Sequence, residues 1–191
     1  MQSQMKADLR TLALARRGVT ARDAAAAFAI RLEREGLALA MTLPNPIVSA
    51  YWPISTEADT RPLLAALAAH GIATALPVTG APGTCLVFRA WKPGDPRNPG
   101  RMAIPEPLPS APAVEPDLLF VPLAAFDRRG HRIGYGAGHY DRTLAQLRAK
   151  KPVLAIGIAY ATQEIAQVPA QPHDQQLDFV LTERESIDCR T

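Results

Sequence analysis

The chain has 191 residues, 48% of them apolar, with a net charge of +3 and a pI near 9.1. That is apolar material for one buried core and predicts a single domain over 1–191; the weak charge, with no long Lys/Arg run, disfavours a nucleic-acid-binding module but leaves room for a local anion site. Cys85 and Cys189 have no metal-ligand spacing and are expected as reduced thiols in a cytoplasmic protein, with neither a secretory leader nor a membrane span, since charges break up the N-terminal segment and prolines and glycines interrupt the uncharged stretches 36–56 and 62–88.

Residues 3–17 carry Met5, Leu9, Leu12 and Leu14 between charges, which predicts a surface helix closed by Gly18. Thr20 is placed to cap a second helix running to about residue 35, with Phe28, Ile30 and Leu32 toward the core. On the first helix Lys6 and Arg10 stand one turn apart and share a face. By spacing alone they read as a solvated stripe. Residues 47–52 predict the first strand, broken at Pro53, and 54–60 a polar turn before an Ala/Leu-rich helix over about 61–70. Gly71 ends that helix, 72–76 predict a second strand stopped by Pro77, and 84–91 predict a third. From 93 to 116 prolines dominate and the apolar period vanishes, as in a surface loop.

The apolar run from Leu118 to Val121 and on to Phe126 has the character of a buried parallel strand, and from about Tyr140 a helix places Leu144 and Leu147 on one side. Pro152 stops this helix; 153–159 predict another buried strand, 162–166 a short helical turn and 179–181 a last strand. Strands alternating with helices imply an α/β fold: a three-layer α/β/α sandwich with a mostly parallel, Rossmann-like central sheet, whose ligands gather at the carboxyl ends of the strands.

Gly134, Gly136 and Gly138 stand between the 118–126 strand and the helix from about 140. A strand that empties into a glycine-rich turn and then opens a helix suits a phosphate, because unshielded N–H groups and the positive end of the helix dipole converge on one anion. The spacing is neither Walker A nor the dinucleotide fingerprint, so the neighbours carry the argument. Arg132 supplies a planar donor fork, Tyr135 and Tyr140 can stack or donate, and Asp141 can hold a divalent cation. Each residue alone also has a plain structural reading: Asp141 as a dipole partner at the helix start, Asp174 as a turn cap, Arg132 as a surface partner of Asp127. Gathering all of them is costly unless a ligand completes the set. His131, His139 and His173 do not form a metal-spaced group, which disfavours zinc.

Segment 117–142 resembles the signature of the 5-formyltetrahydrofolate cyclo-ligase family, also called methenyltetrahydrofolate synthetases, roughly D-x-x-x-V-P-x-x-A-F-D-x-x-G-x-R-x-G-x-G-x-G-Y-Y-D-R. The family's closing pattern is matched by Pro169, His173, Asp174, Asp178, Thr182 and Glu183. The resemblance covers nearly the whole chain. It implies ATP- and Mg²⁺-dependent cyclisation of 5-formyltetrahydrofolate to 5,10-methenyltetrahydrofolate with release of ADP and phosphate. It also turns Lys6 and Arg10 into the family's K-x-x-x-R element, whose cations meet the ATP phosphates.

With those two, the implied ATP site comprises Arg132, Gly134, Tyr135, Gly136, Ala137, Gly138, His139 and Tyr140; the implied folate site is Trp52, Glu57, Gly136 and Tyr140. Asp141 and Asp174 are the implied Mg²⁺ ligands, and Arg132 and Tyr140 the catalytic pair. Glu106 falls in a segment similar to the family's G-I-x-E-P. Two positions depart from the pattern: His139, where Tyr or Phe is usual, and Ala137, often Gly or Lys. The first keeps a ring that stacks or donates; the second removes a phosphate contact. The expected partners are small molecules bound by a monomer. Two alternatives stay open at this level: a relative that keeps the nucleotide site but acts on another substrate, and a non-catalytic folate or nucleotide binder.

Overall fold

The computed structural model describes residues 2–190, apart from the side chains of Gln2, Ser3 and Met102. Helix α1 (Gln2–Ala40) leads to strand β1 (Ile47–Ser49), helix α2 (Arg61–Ala69) and strands β2 (Ala73–Val78) and β3 (Val87–Ala90). A hairpin of β4 (Arg97–Pro99) and β5 (Pro105–Pro107) and the edge strand β6 (Ala113–Val114) come before β7 (Leu118–Pro122). A second hairpin, β8 (Ala125–Phe126) and β9 (Arg132–Ile133), delivers the chain to α3 (His139–Arg148), followed by β10 (Leu154–Ile158), β11 (Phe179–Leu181) and β12 (Ser186–Asp188).

One eight-stranded sheet has the order β12-β11-β10-β7-β1-β2-β3-β6. The strands from β11 through β10, β7 and β1 to β2 are parallel, whereas β12, β3 and β6 pair antiparallel at the ends. Alternation along β7 explains its unbroken apolar run. Leu118 and Phe120 enter the core shared with Phe28 and Leu32 of α1 and Leu63, Leu64 and Leu67 of α2, while Leu119 and Val121 meet Leu144 and Leu147 of α3 on the other face. The sheet is therefore buried on both sides, as expected of a three-layer α/β/α fold.

The strand order places the site. After β1 the chain moves to its neighbour β2, and after β7 it moves the other way, to β10, while β1 and β7 lie side by side. Where neighbouring parallel strands send their connections in opposite directions, a crevice opens at their carboxyl ends. The loop after β1 holds Glu57, and the glycine bend follows β7 by way of the β8–β9 hairpin.

Several local expectations are corrected. Gly18 does not close a helix, since α1 is continuous over 39 residues. Glycine in a helix interior costs about 1 kcal/mol relative to alanine, and the packing of Ala13, Ala21, Phe28 and Leu32, all buried, outweighs it. Thr20 is not an N-cap: its hydroxyl bonds back to the Arg16 carbonyl at 3.2 Å and lies 2.9 Å from Thr162 Oγ1. Ile30, expected toward the core, is 69% exposed. Pro77 does not end β2; it pairs with Phe88 beyond the residues of β2 that hydrogen-bond to β1. The proline-rich 93–116 stretch is no plain loop but contains β4, β5 and β6. It is pinned by Glu106, which is buried and accepts from the Thr79 N–H at 2.9 Å. A closing antiparallel strand, β12, lies beyond the predicted set.

Candidate active site

The opening helix reaches the glycine bend. Arg10 Nε donates to the Gly134 carbonyl at 2.7 Å, and a methyl built on Gly136 would sit 3.5 Å from Arg10 Nη2. One turn earlier, Lys6 Nζ forms a 2.7 Å ion pair with Asp174 Oδ2. A small cluster of Ala13, Ala125, Ile133 and Val168, flanked by Leu9 and Ile165, packs this part of α1 against the β8–β9 hairpin. Apolar contact thus sets where the two cations point.

The bend itself is built on left-handed backbone. Gly136 has φ +100° and Gly138 has φ +68°, conformations an L side chain rarely adopts. The Arg142 guanidinium folds over Gly138 and donates to the carbonyls of Ala137 (3.2 Å) and Gly138 (3.1 Å). His139 is directed to the loop before β3, with Nδ1 2.7 Å from the Thr84 carbonyl.

Arg132 is not a surface partner of Asp127. It is buried, and its Nη2 donates to Asp141 Oδ1 at 2.7 Å while Nη1 donates to the Gln175 carbonyl. Burial lowers its pKa against the charges of Asp141 and Asp174, yet a guanidinium remains protonated. Asp127 instead organises its own hairpin turn, accepting from the N–H groups of Arg129, His131 and Val168 and from the Arg129 side chain. Asp141 Oδ1 also accepts from the Gln175 N–H at 3.0 Å. Asp174 accepts from Lys6 and from the Gln171 N–H; burial alone would raise its pKa, but these donors and the lysine charge hold it below the usual carboxylate value.

On the β1 side, Tyr135 donates to Glu57 Oε1 and the Ile54 N–H donates to Oε2 at 3.0 Å. Burial raises the Glu57 pKa despite these bonds. Burial likewise pushes the Tyr140 phenol well above its ordinary value, with the Glu57 charge adding to it. Tyr140 is therefore a proton-bearing donor at neutral pH, not a base. Trp52 stacks edge-on against Trp91 at 5.9 Å, with the Arg97 guanidinium of the β4–β5 hairpin 3.8 Å from its ring centroid.

Among the described residues no three His, Cys, Asp or Glu side chains gather into a metal cage. Asp141 and Asp174 each commit one oxygen, Oδ1 and Oδ2 respectively, to protein donors; His173 Nε2 is 3.7 Å from Asp174 Oδ1. Two carboxylates with an oxygen apiece fit a magnesium ion that keeps its waters and shares a phosphate ligand.

The family model described as the 5-formyltetrahydrofolate cyclo-ligase family matches residues 2–183. The chain belongs to this family. It is 33% identical over 140 residues to the 5-formyltetrahydrofolate cyclo-ligase of Haemophilus influenzae, covering 70% of this chain and 74% of that one. It is 35% identical over 151 residues to the enzyme of that name from Mycolicibacterium smegmatis, covering 73% and 75%. The solved 5,10-methenyltetrahydrofolate synthetase of Aquifex aeolicus superposes with a TM-score of 0.73 at 26% identity, covering 98% of this chain and 94% of that one. The synthetase of Mycoplasma pneumoniae, at 22% identity, TM-score 0.72 and coverages of 94% and 99%, shows the fold alone. No helix among the described residues is long and apolar enough to cross a membrane.

Sequence reasoning passed over some residues that the structure brings to this candidate site. Arg142 closes the quoted D-R motif but carried no role, and Arg17, two turns beyond Arg10 on the same face, was readable from spacing. The Gln175 backbone, which bonds both Arg132 and Asp141, left no signal because a main-chain contact has no residue type.

Proposed function

We propose that the protein cyclises 5-formyltetrahydrofolate to 5,10-methenyltetrahydrofolate, consuming ATP and releasing ADP and phosphate. The observation that carries this reading is the convergence of Lys6 and Arg10, from the first turns of the chain, on the glycine bend and Asp174. Two segments more than a hundred residues apart bring cations, free N–H groups and a carboxylate together.

A formyl oxygen is a poor leaving group until it carries a phosphoryl group. In the proposed reaction it attacks the γ-phosphate with ADP leaving, N10 closes on the activated carbon and gives up its proton to water, and the oxygen departs as phosphate. Such transfer needs positioning and charge neutralisation more than a strong base. Lys6 and Arg10 orient and neutralise the triphosphate along the glycine bend, and Arg132, fixed by Asp141 and the Gln175 carbonyl, contributes charge from beneath. Tyr140 holds its proton and donates it as a hydrogen bond, and Glu57 accepts from the folate ring. Asp141 and Asp174 would hold Mg²⁺, which supplies further neutralisation of the phosphate oxygens when bound.

The test is to mix the protein with 5-formyltetrahydrofolate and Mg-ATP and to follow methenyl absorbance together with ADP. Both should rise in equal amounts. ADP without methenyl product would mean another substrate, and binding without either product would mean a non-catalytic binder.

A further inference from the structure

One buried charge has no part in the reaction so far. Arg17 is 5% exposed. Lys6, Arg10 and Arg17 stand at i, i+4 and i+11, which places them within about 40° of one another around a 3.6-residue helix. The third cation therefore leaves the same face of α1, but two turns further on, over the folate loop. Its Nε donates to Thr56 Oγ1 at 3.0 Å and its Nη1 donates to the Tyr135 hydroxyl at 2.7 Å, while Nη1 lies 4.0 Å from Glu57 Oε1.

These contacts have a direction. A phenolic oxygen that accepts from a guanidinium keeps its own proton for an acceptor opposite, and that acceptor is Glu57. Tyr135 is 44% exposed, whereas the Arg17 and Glu57 side chains are 6% and 5% exposed. Arg17 is thus the buried cation of the trio and the phenol its water-facing member. As a device for holding the fold together, a guanidinium buried against two hydroxyls and a carboxylate 4.0 Å away is inefficient, because well-packed apolar groups often replace buried ion pairs at no loss. Its contacts instead bear on how Glu57 is held, through the Tyr135 hydroxyl that both side chains share.

We propose that Arg17 is a positioning residue for folate recognition: it aims the Tyr135 hydroxyl at Glu57 and so fixes the Glu57 carboxyl for the substrate. The inference rests on the proposed reaction. The pterin ring of a reduced folate presents an amino group and a ring N–H side by side, two donors that a carboxylate accepts and a carboxylic acid matches badly. Tyr135 and Ile54 use two of the four lone-pair positions on Glu57, which leaves two. The titratable and charged groups whose charge couples to Glu57 are Arg17 from α1, Tyr135 from the bend, Tyr51 after β1 and Tyr140 from α3; Arg17 is the cation among them.

The experiment compares wild type with Arg17→Met, Arg17→Lys and Tyr135→Phe in the full chain. It measures KM for 5-formyltetrahydrofolate, KM for Mg-ATP and kcat, and follows the Glu57 carboxyl by ¹³C NMR titration, assigned with Glu57→Gln. Arg17→Met should raise the folate KM about ten- to hundredfold, the size of one lost hydrogen bond to a charged group, leave the ATP KM within about twofold, and move the Glu57 midpoint upward. Arg17→Lys should restore the midpoint but only part of the KM, since an ammonium lacks the planar fork that reaches Thr56 and Tyr135 together. If Arg17→Met does not fold, Tyr135→Phe should still raise the folate KM and move the Glu57 midpoint upward, since it removes the hydroxyl that donates to Glu57. Equal rises in both KM values, or a lower melting temperature with the folate KM and the Glu57 midpoint unchanged, overturn the proposal. A wild-type protein that makes no methenyl product refutes the reaction instead, and the NMR midpoint then decides the role of Arg17 alone.

Discussion

Replacing Arg132 by methionine tests whether the buried cation is part of the site or of the scaffold. Sequence alone predicts that alanine at Arg132 or Asp141 cuts turnover far more than stability, but the geometry predicts that both fall. The Arg132 side chain is 4% exposed and Asp141 25%, so their 2.7 Å pair is shielded from water and removing the cation strands a carboxylate. Breaking a buried pair costs about 3–5 kcal/mol, and the Gln175 N–H that Asp141 retains puts the loss near the lower end, about 3 kcal/mol. At about 2–4 °C per kcal/mol for a chain of this size, the melting temperature should fall by about 6–12 °C. Adding Asp141→Asn removes the stranded charge and should return roughly half of that loss. It should not return activity: turnover per folded molecule should be down by about 10²–10³, the usual effect of losing one preorganised donor to developing charge. Thermal unfolding by circular dichroism and methenyl absorbance, each with the single and double variants, give the two readouts. A double variant no more stable than Arg132→Met would refute the stranded-charge argument, and unchanged turnover per folded molecule would remove Arg132 from the chemistry.

Glu57 has its folded pKa raised by burial, so its contribution to stability is present below the unfolded value of about 4.3 and is lost as pH rises through the folded value. Urea midpoints measured from pH 4 upward should show wild type losing stability relative to Glu57→Gln over that window; parallel curves would contradict the assigned burial. Arg142 covers the bend at Ala137, so Arg142→Ala should raise the ATP KM several-fold while stability changes by no more than about 0.5 kcal/mol. An ATP KM equal to wild type would show that the guanidinium only braces backbone carbonyls. Gly18 keeps helical backbone with open space around its Cα, so Gly18→Ala should stabilise by about 0.5–1 kcal/mol in equilibrium denaturation. A loss would mean that α1 is broken there after all.

The layered α/β plan was legible in the chain because its causes are local: a continuous apolar run at 118–121, amphipathic spacing at Leu144 and Leu147, and glycines between them. The glycine bend and its neighbours Arg132, Tyr140 and Asp141 were legible for the same reason, standing within a few residues of one another. The extent of α1 was not. Gly18 and Thr20 carry the stop and start signals of two helices, yet one face packed against the sheet outweighs a glycine's cost of about 1 kcal/mol. The proline-rich stretch hid its strands because the Glu106 carboxylate that pins them bonds a backbone N–H twenty-seven residues away. Composition and spacing determined which kinds of groups this protein owns and on which faces of their own elements they stand. Only the tertiary structure decided that Lys6 meets Asp174, that Arg132 is buried beneath the bend, and that Arg17 reaches both Tyr135 and Glu57, because long-range pairings depend on how the sheet brings the ends of β1 and β7 together and no local pattern encodes that.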